Sequence, residues 1–200
     1  MRESVEVSGL VLRPWGADGD ADAVLEAYAE PLMRWQAPQP VDSVEDAREW
    51  VRARGAQWEE GGAFSFAVVD GPGGGAGAVL GNVTVSAVDR RHSTGWVSYW
   101  ITRAARGRGV ATHACRAATR WAFDDLGLFR LELGHRVNNP ASCRVATAAG
   151  FAVEGIQRQK LLYDGVRYDV ESHARLATDP AGSPEPVTSP TRHRHSHRHR

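Results

Sequence analysis

Arg106-Gly107-Arg108-Gly109-Val110-Ala111-Thr112 decides how the rest of this chain is read. It follows an apolar, aromatic run from Gly95 to Ile101 and opens a long Ala-rich segment. A strand that ends in a glycine-rich turn and feeds a helix presents main-chain N–H groups that no preceding carbonyl satisfies. They stand at the positive end of the helix dipole, which suits the turn to a phosphate. Glycines at 107 and 109 let an anion approach the main chain without meeting a Cβ. Arg106 and Arg108 add positive charge.

Of two familiar phosphate loops, one fails here and the other fits only in part. A P-loop needs Lys and then Ser or Thr after its last glycine, to bridge phosphates and hold magnesium. Gly109 is followed instead by Val110 and Ala111. The dinucleotide fingerprint matches at Gly107 and Gly109, but Thr112 occupies the third glycine position. That turn should also open a nucleotide domain, and this one lies past the middle of the chain.

Arg106-x-x-Gly109-x-Ala111 resembles the Q/R-x-x-G-x-G/A signature with which GNAT N-acetyltransferases grip the pyrophosphate of acetyl-CoA. Downstream, Asn139-Pro140-Ala141-Ser142 and then Ala149-Gly150-Phe151 look like the family's N-x-x-S…G-F segment. Three further stretches are similar to the RimJ/RimL-like branch: Leu10-Val11-Leu12-Arg13-Pro14-Trp15 with the acidic Asp18–Asp22 stretch, Ser43-Val44-Glu45-Asp46-Ala47, and Gly165-x-x-x-Asp169. The likeness runs from about Leu10 to Leu176.

What the resemblance implies is an acetyl-CoA-dependent N-acetyltransferase. Its fold would be α/β (α+β), the GNAT acyl-CoA fold, with about four helices on a mostly antiparallel mixed sheet of six to seven strands. Acetyl would pass directly to a primary amine, either a protein α-amine or a small molecule. By resemblance, backbone groups near Trp100 and Ile101 pair with pantetheine, and one of their amides meets the oxyanion. Arg106, Arg108 and the amides of Gly107, Gly109, Val110, Ala111 and Thr112 hold the diphosphate. Asn139 bonds the coenzyme across the gap, and Ser142 protonates the departing thiolate. No metal is implied, and homodimers are common in the family.

The chain departs from the family at two places. The tyrosine often found seven residues after the asparagine is Ala146, and the branch's strand glutamate is Trp96. Glu132, Asp89 or His92 could serve as a base through water. The missing groups leave a second reading open, a non-catalytic acyl-CoA-binding module.

Composition fits one soluble domain. Of 200 residues, 42% are hydrophobic and 24% charged, ordinary for a globular protein. No apolar run is long enough for a membrane span and the first residues lack a signal core, so the expected location is the cytoplasm. Cys115 and Cys143 lack metal-type spacing in sequence and read as reduced thiols. The net charge of zero hides a division, because residues 192–200 carry four arginines and half of the eight histidines. Residues 1–178 hold 20 Lys+Arg against 22 Asp+Glu, a balance that argues against a nucleic-acid surface on the body. The expected division is a domain at 1–178 and a disordered Pro/Ser then Arg/His tail at 179–200.

Periodicity and breakers predict the order β-α-α-β-β-β-α-β-α-β-β. The strands fall at Val5–Arg13, Phe64–Val69, Val79–Ala87, Gly95–Ile101, Phe129–Gly134, Phe151–Leu162 and Arg167–Leu176. The helices fall at Asp20–Trp35, Ser43–Trp58, Gly109–Leu126 and Pro140–Ala149.

Overall fold

The computed structural model describes residues 4–16, 19–31, 33, 39–71 and 77–180. The C-terminal Arg/His tract, Asp18, the end of the expected first helix at 34–35 and the middle of the Gly71–Gly77 loop lie outside them.

Eight strands form one sheet in the order β1-β2-β3-β4-β5-β6-β8-β7. They are β1 (Val5–Val7), β2 (Leu10–Pro14), β3 (Phe64–Asp70), β4 (Val79–Asp89), β5 (Thr94–Ile101), β6 (Arg130–Arg136), β7 (Ala152–Tyr163) and β8 (Val166–Leu176). The helices are α1 (Asp20–Tyr28), α2 (Val44–Glu60), α3 (Val110–Asp124) and α4 (Pro140–Ala148). Eight strands replace the expected six to seven because Val5–Arg13 is a hairpin. Ser8 and Gly9 take φ of 48° and 78°, the two left-handed residues of a tight turn whose twist suits paired strands. The first helix stops at Tyr28, short of the expected Trp35. Pro31 lacks the N–H a continuing helix needs.

The elements follow from local chemistry. Ser43 caps α2 by accepting from the Asp46 amide at 3.1 Å, while its hydroxyl donates to the Asp46 carboxylate. The alternating burial of β6 puts Leu131, Leu133 and His135 inward. Asp164 and Gly165, both at positive φ, close the β7–β8 hairpin.

Two apolar layers sandwich the sheet. One centres on α3, where Ala114, Cys115, Ala118 and Ala122 meet Phe66, Val83, Val97, Leu131 and Phe151. Small alanines let the helix approach closely, and each fully buried Phe or Leu contributes about 1.5–3 kcal/mol. The other gathers Trp15, Tyr28, Trp50 and Trp100 beneath α1 and α2. Trp15 and Trp50 meet edge to face at 5.0 Å, the arrangement ring quadrupoles favour.

Asp20 anchors that second layer. It is 2% exposed, bonds Arg13 at 2.7 and 3.0 Å and accepts from the Gly16 amide at 2.8 Å. Removing its carboxylate strands a half-buried guanidinium. Asp20→Ala should therefore lower unfolding free energy by about 3–5 kcal/mol. A urea midpoint within error of the parent would refute this.

Candidate functional site

The site is made by a failure of pairing. Strands β5 and β6 run parallel only at Thr94↔Arg130, Gly95↔Leu131 and Trp96↔Glu132. Beyond Trp96 they diverge, and a cavity of about 280 Å³ opens between them. Ser98, Tyr99, His135, Arg136, Asn139, Ser142 and Tyr163 are among its lining residues. Trp96 forms part of its wall and explains a glycine across from it: a Cβ on Gly134 would stand 2.9 Å from the Trp96 ring.

Which main-chain groups face the gap follows from the ladder. The Thr102 amide donates to the Leu80 carbonyl at 2.9 Å, and Trp100 pairs with Asn82 one step earlier in the same register. Antiparallel bonding alternates with a two-residue period, so the polar groups of Trp100 are spent on β4. Those of Tyr99 and Ile101 turn toward β6 beyond the last parallel pair, where no strand remains to take them. The register thus turns Tyr99 and Ile101, and not Trp100, toward the opening between the strands. The Trp100 ring is 6% exposed and belongs to the aromatic core.

At the mouth of the gap, a single 3-10 turn (Arg103–Ala105) leads into Gly107 and Gly109, both at φ 77°. Gly109 caps α3 with no side-chain hydrogen bond to its first turn, so the amides of Val110, Ala111 and Thr112 project freely. Nothing lies within 4 Å of a Cβ placed on Gly107. Arg106 and Arg108 are exposed and held from behind. Arg106 bonds Glu30 at 2.8 Å and the Ile101 carbonyl at 3.0 Å, and Arg108 pairs with Asp70 at 3.4 Å. These ties brace the turn from the side away from the amides.

Opposite, Asn139 caps α4 by accepting from the Ser142 amide at 3.2 Å. Ser142 thus enters the gap at the start of a helix. Facing it from β5 is Tyr99, whose hydroxyl is buried without a hydrogen-bond partner. Burial pushes its pKa well above that of an ordinary phenol, and the Ser142 side chain partly offsets this. Tyr99 stands three residues past Trp96, the last residue of β5 paired with β6.

The expected stand-in bases do not reach the gap. Asp89 accepts from the Arg91 and His92 amides at 2.8 and 3.0 Å, closing its own turn. Glu132 pairs with Arg130 at 2.9 Å, level with Trp96 and before the strands part. Among the described residues no carboxylate lines the cavity.

A second cavity of about 190 Å³ lies toward α2 and shares Ser98 and Tyr99 with the first. Arg54, Ser65, Asn82 and Thr84 supply its polar wall. The network is tied together: Trp15 Nε1 donates to Asn82 Oδ1 at 2.9 Å, Asn82 Nδ2 donates to Thr84 at 3.0 Å, and Ser65 and Thr84 share a bond of 2.8 Å. Arg54 lies 4.4 Å over the Trp50 ring.

A turn of free amides, a split between parallel strands and a capped helix across it are the parts of an acyl-CoA acetyltransferase. The family model for the acetyltransferase (GNAT) domain matches residues 9–152, and the chain belongs to that family. It is similar to the ribosomal-protein-serine acetyltransferase of Escherichia coli (strain K12), 25% identical over 151 residues, 76% of this chain and 80% of that protein. YjcK of Bacillus subtilis (strain 168) is 37% identical over 86 residues, 43% of this chain and 48% of the relative. The chain spans about half the length of this relative and of a second from the same organism. Among solved structures, Mycobacterium smegmatis RimJ in complex with CoA-disulfide has the same fold, with a TM-score of 0.75 at 21% identity over 91% of this chain and 90% of that one.

Proposed function

We propose that the protein is an acetyl-CoA-dependent N-acetyltransferase of the RimJ/RimL-like kind, working in the cytoplasm on the α-amine of a polypeptide. The observation that carries this is the alignment of three features along one path: the free amides of α3, the outward groups of Tyr99 and Ile101, and Ser142. A diphosphate seated on the first places the pantetheine arm along the second and the thioester sulfur near the third.

The amine enters through the cavity beneath α2 and must be neutral when it attacks. With no carboxylate on either wall, its proton leaves by water. The outward amide of Tyr99 or Ile101 donates to the oxyanion as the carbonyl becomes tetrahedral. Ser142 and Tyr99 donate hydrogen bonds to the departing sulfur. Holding two substrates in line supplies much of the remaining acceleration.

Charge selects the acceptor. Among the described residues Arg54 is the one charged side chain lining the amine cavity, which repels a polyamine and welcomes the carbonyls that follow a peptide's first nitrogen. Isothermal titration should show one acetyl-CoA site per chain. Short peptides with a free N-terminal Ser or Ala should release CoA at least about 10-fold faster than spermidine does. Coenzyme binding without turnover on any peptide or amine would favour the non-catalytic reading instead. No heat of binding at millimolar acetyl-CoA would remove both.

A further inference from the structure

Four side chains from three elements converge beneath α4: His135 of β6, Cys143 of α4, and Glu171 and His173 of β8. His135 and Glu171 are partners in the β6–β8 register, and His173 lies two residues along the same strand, facing the same way. Their ligand atoms and the Cys143 sulfur all lie within 4.8 Å of one another. His135 Nε2 is 2.9 Å from His173 Nε2, and a Glu171 carboxylate oxygen is 3.4 and 3.5 Å from the two nitrogens.

The outer contact of His135 fixes its tautomer. His135 Nδ1 sits 3.0 Å from the Arg136 carbonyl, an acceptor only, so Nδ1 is the N–H and Nε2 bears a lone pair. His173 Nδ1 is buried with no hydrogen-bond partner. The 2.9 Å approach of the two Nε2 atoms holds either one shared proton or a bound cation, and the Glu171 carboxylate beside them favours positive charge at this point. Ligands placed about 2.0–2.3 Å from a tetrahedral zinc ion stand about 3.3–3.6 Å apart, a spacing that the carboxylate-to-imidazole distances of 3.4 and 3.5 Å already meet, while the two imidazole nitrogens at 2.9 Å must part a little and the sulfur, within 4.8 Å, must draw in.

We propose that His135 Nε2, His173 Nε2, the Glu171 carboxylate and the Cys143 thiolate bind one divalent transition ion, zinc(II) by the softness of the set. Cys143 gives its proton to solvent on binding. Four protein ligands leave no open position, so the ion is a fastener and takes no part in acetyl transfer. It pins α4 to the β6–β8 pair, and α4 begins at the very residues, Asn139 and Ser142, that face the coenzyme gap. The Arg136 carbonyl behind His135 is the kind of outer contact that orients a ligating imidazole.

Cobalt(II) titration of the full-length chain tests this, because the four histidines of residues 192–200 could bind metal but supply no sulfur. One equivalent should give a saturable thiolate-to-cobalt charge-transfer band, displaced by zinc. Cys143→Ser should abolish that band while Cys115→Ser leaves it intact. Chelation should lower Tm by about 5–10 °C, equally in a chain whose histidines at 193, 195, 197 and 199 are glutamine. Absence of the charge-transfer band, its survival in Cys143→Ser, or a Tm indifferent to chelator would each overturn the site and leave a proton between the two imidazoles. None of these readouts depends on acetyltransferase activity.

Discussion

Valine in place of Gly109 should raise the dissociation constant for acetyl-CoA at least about 100-fold. The residue sits at φ 77°, where an L side chain costs about 1–2 kcal/mol and a β-branched one more. A Cβ there would meet only the His113 ring at 3.6 Å, an ordinary contact. The chain therefore folds, but either the turn relaxes or the isopropyl group stands where the anion must sit. Both outcomes disperse the amides of Val110 to Thr112. Each charge-assisted bond lost is worth about 1.5–3 kcal/mol, and two of them reach a 100-fold loss. Gly127→Val is the matched control. Gly127 has φ 67° with nothing near its missing Cβ, and it lies past the far end of α3, so the same strain should leave coenzyme affinity unchanged. Equal affinity in Gly109→Val and the parent, measured by calorimetry, would sink the diphosphate assignment.

The fold was legible because its signals are local. Turn glycines, the Ser43 cap and the alternation of Val79–Asp89 do not depend on partners far away in sequence. The hairpin at Ser8-Gly9 was missed since Val5–Arg13 keeps its alternation through a turn that needs only two left-handed residues. The glycine turn before α3 was legible for the same local reason: glycine, charge and a helix start lie side by side. The gap was legible only through family likeness. Which strand edge faces it depends on the register of β4 against β5, and that register placed Tyr99, not Trp100, at the opening. The His135–Cys143–Glu171–His173 cluster was hidden altogether. Its members come from β6, α4 and β8, and no spacing within the chain announces a meeting set by sheet pairing. The buried-face position of His135 after Leu131 and Leu133 was the one hint.

Tyr99→Phe should lower kcat by about 10–100-fold, the worth of one charge-assisted hydrogen bond, while leaving the KM for acetyl-CoA nearly unchanged. A core tyrosine and a functional one predict different effects on stability here. The Tyr99 hydroxyl is buried with only the Ser142 side chain beside it and no well-formed bond, so its removal costs little and the variant should melt near the parent temperature. A lower rate in an equally stable enzyme cannot come from unfolding. The hydroxyl also holds its proton at any working pH, since burial sets its pKa well above the ordinary phenol value. It therefore acts as a donor to the developing thiolate, and the rate should show no titration of this group between pH 6 and 9. Ser142→Ala should cost a similar factor, because both hydroxyls aim at one sulfur. The double variant should lose less than the product of the two single losses, as groups that serve one atom are not additive. Parent-like kcat in Tyr99→Phe would return Tyr99 to the core. Strict multiplicativity in the double variant would show that the two hydroxyls serve different steps.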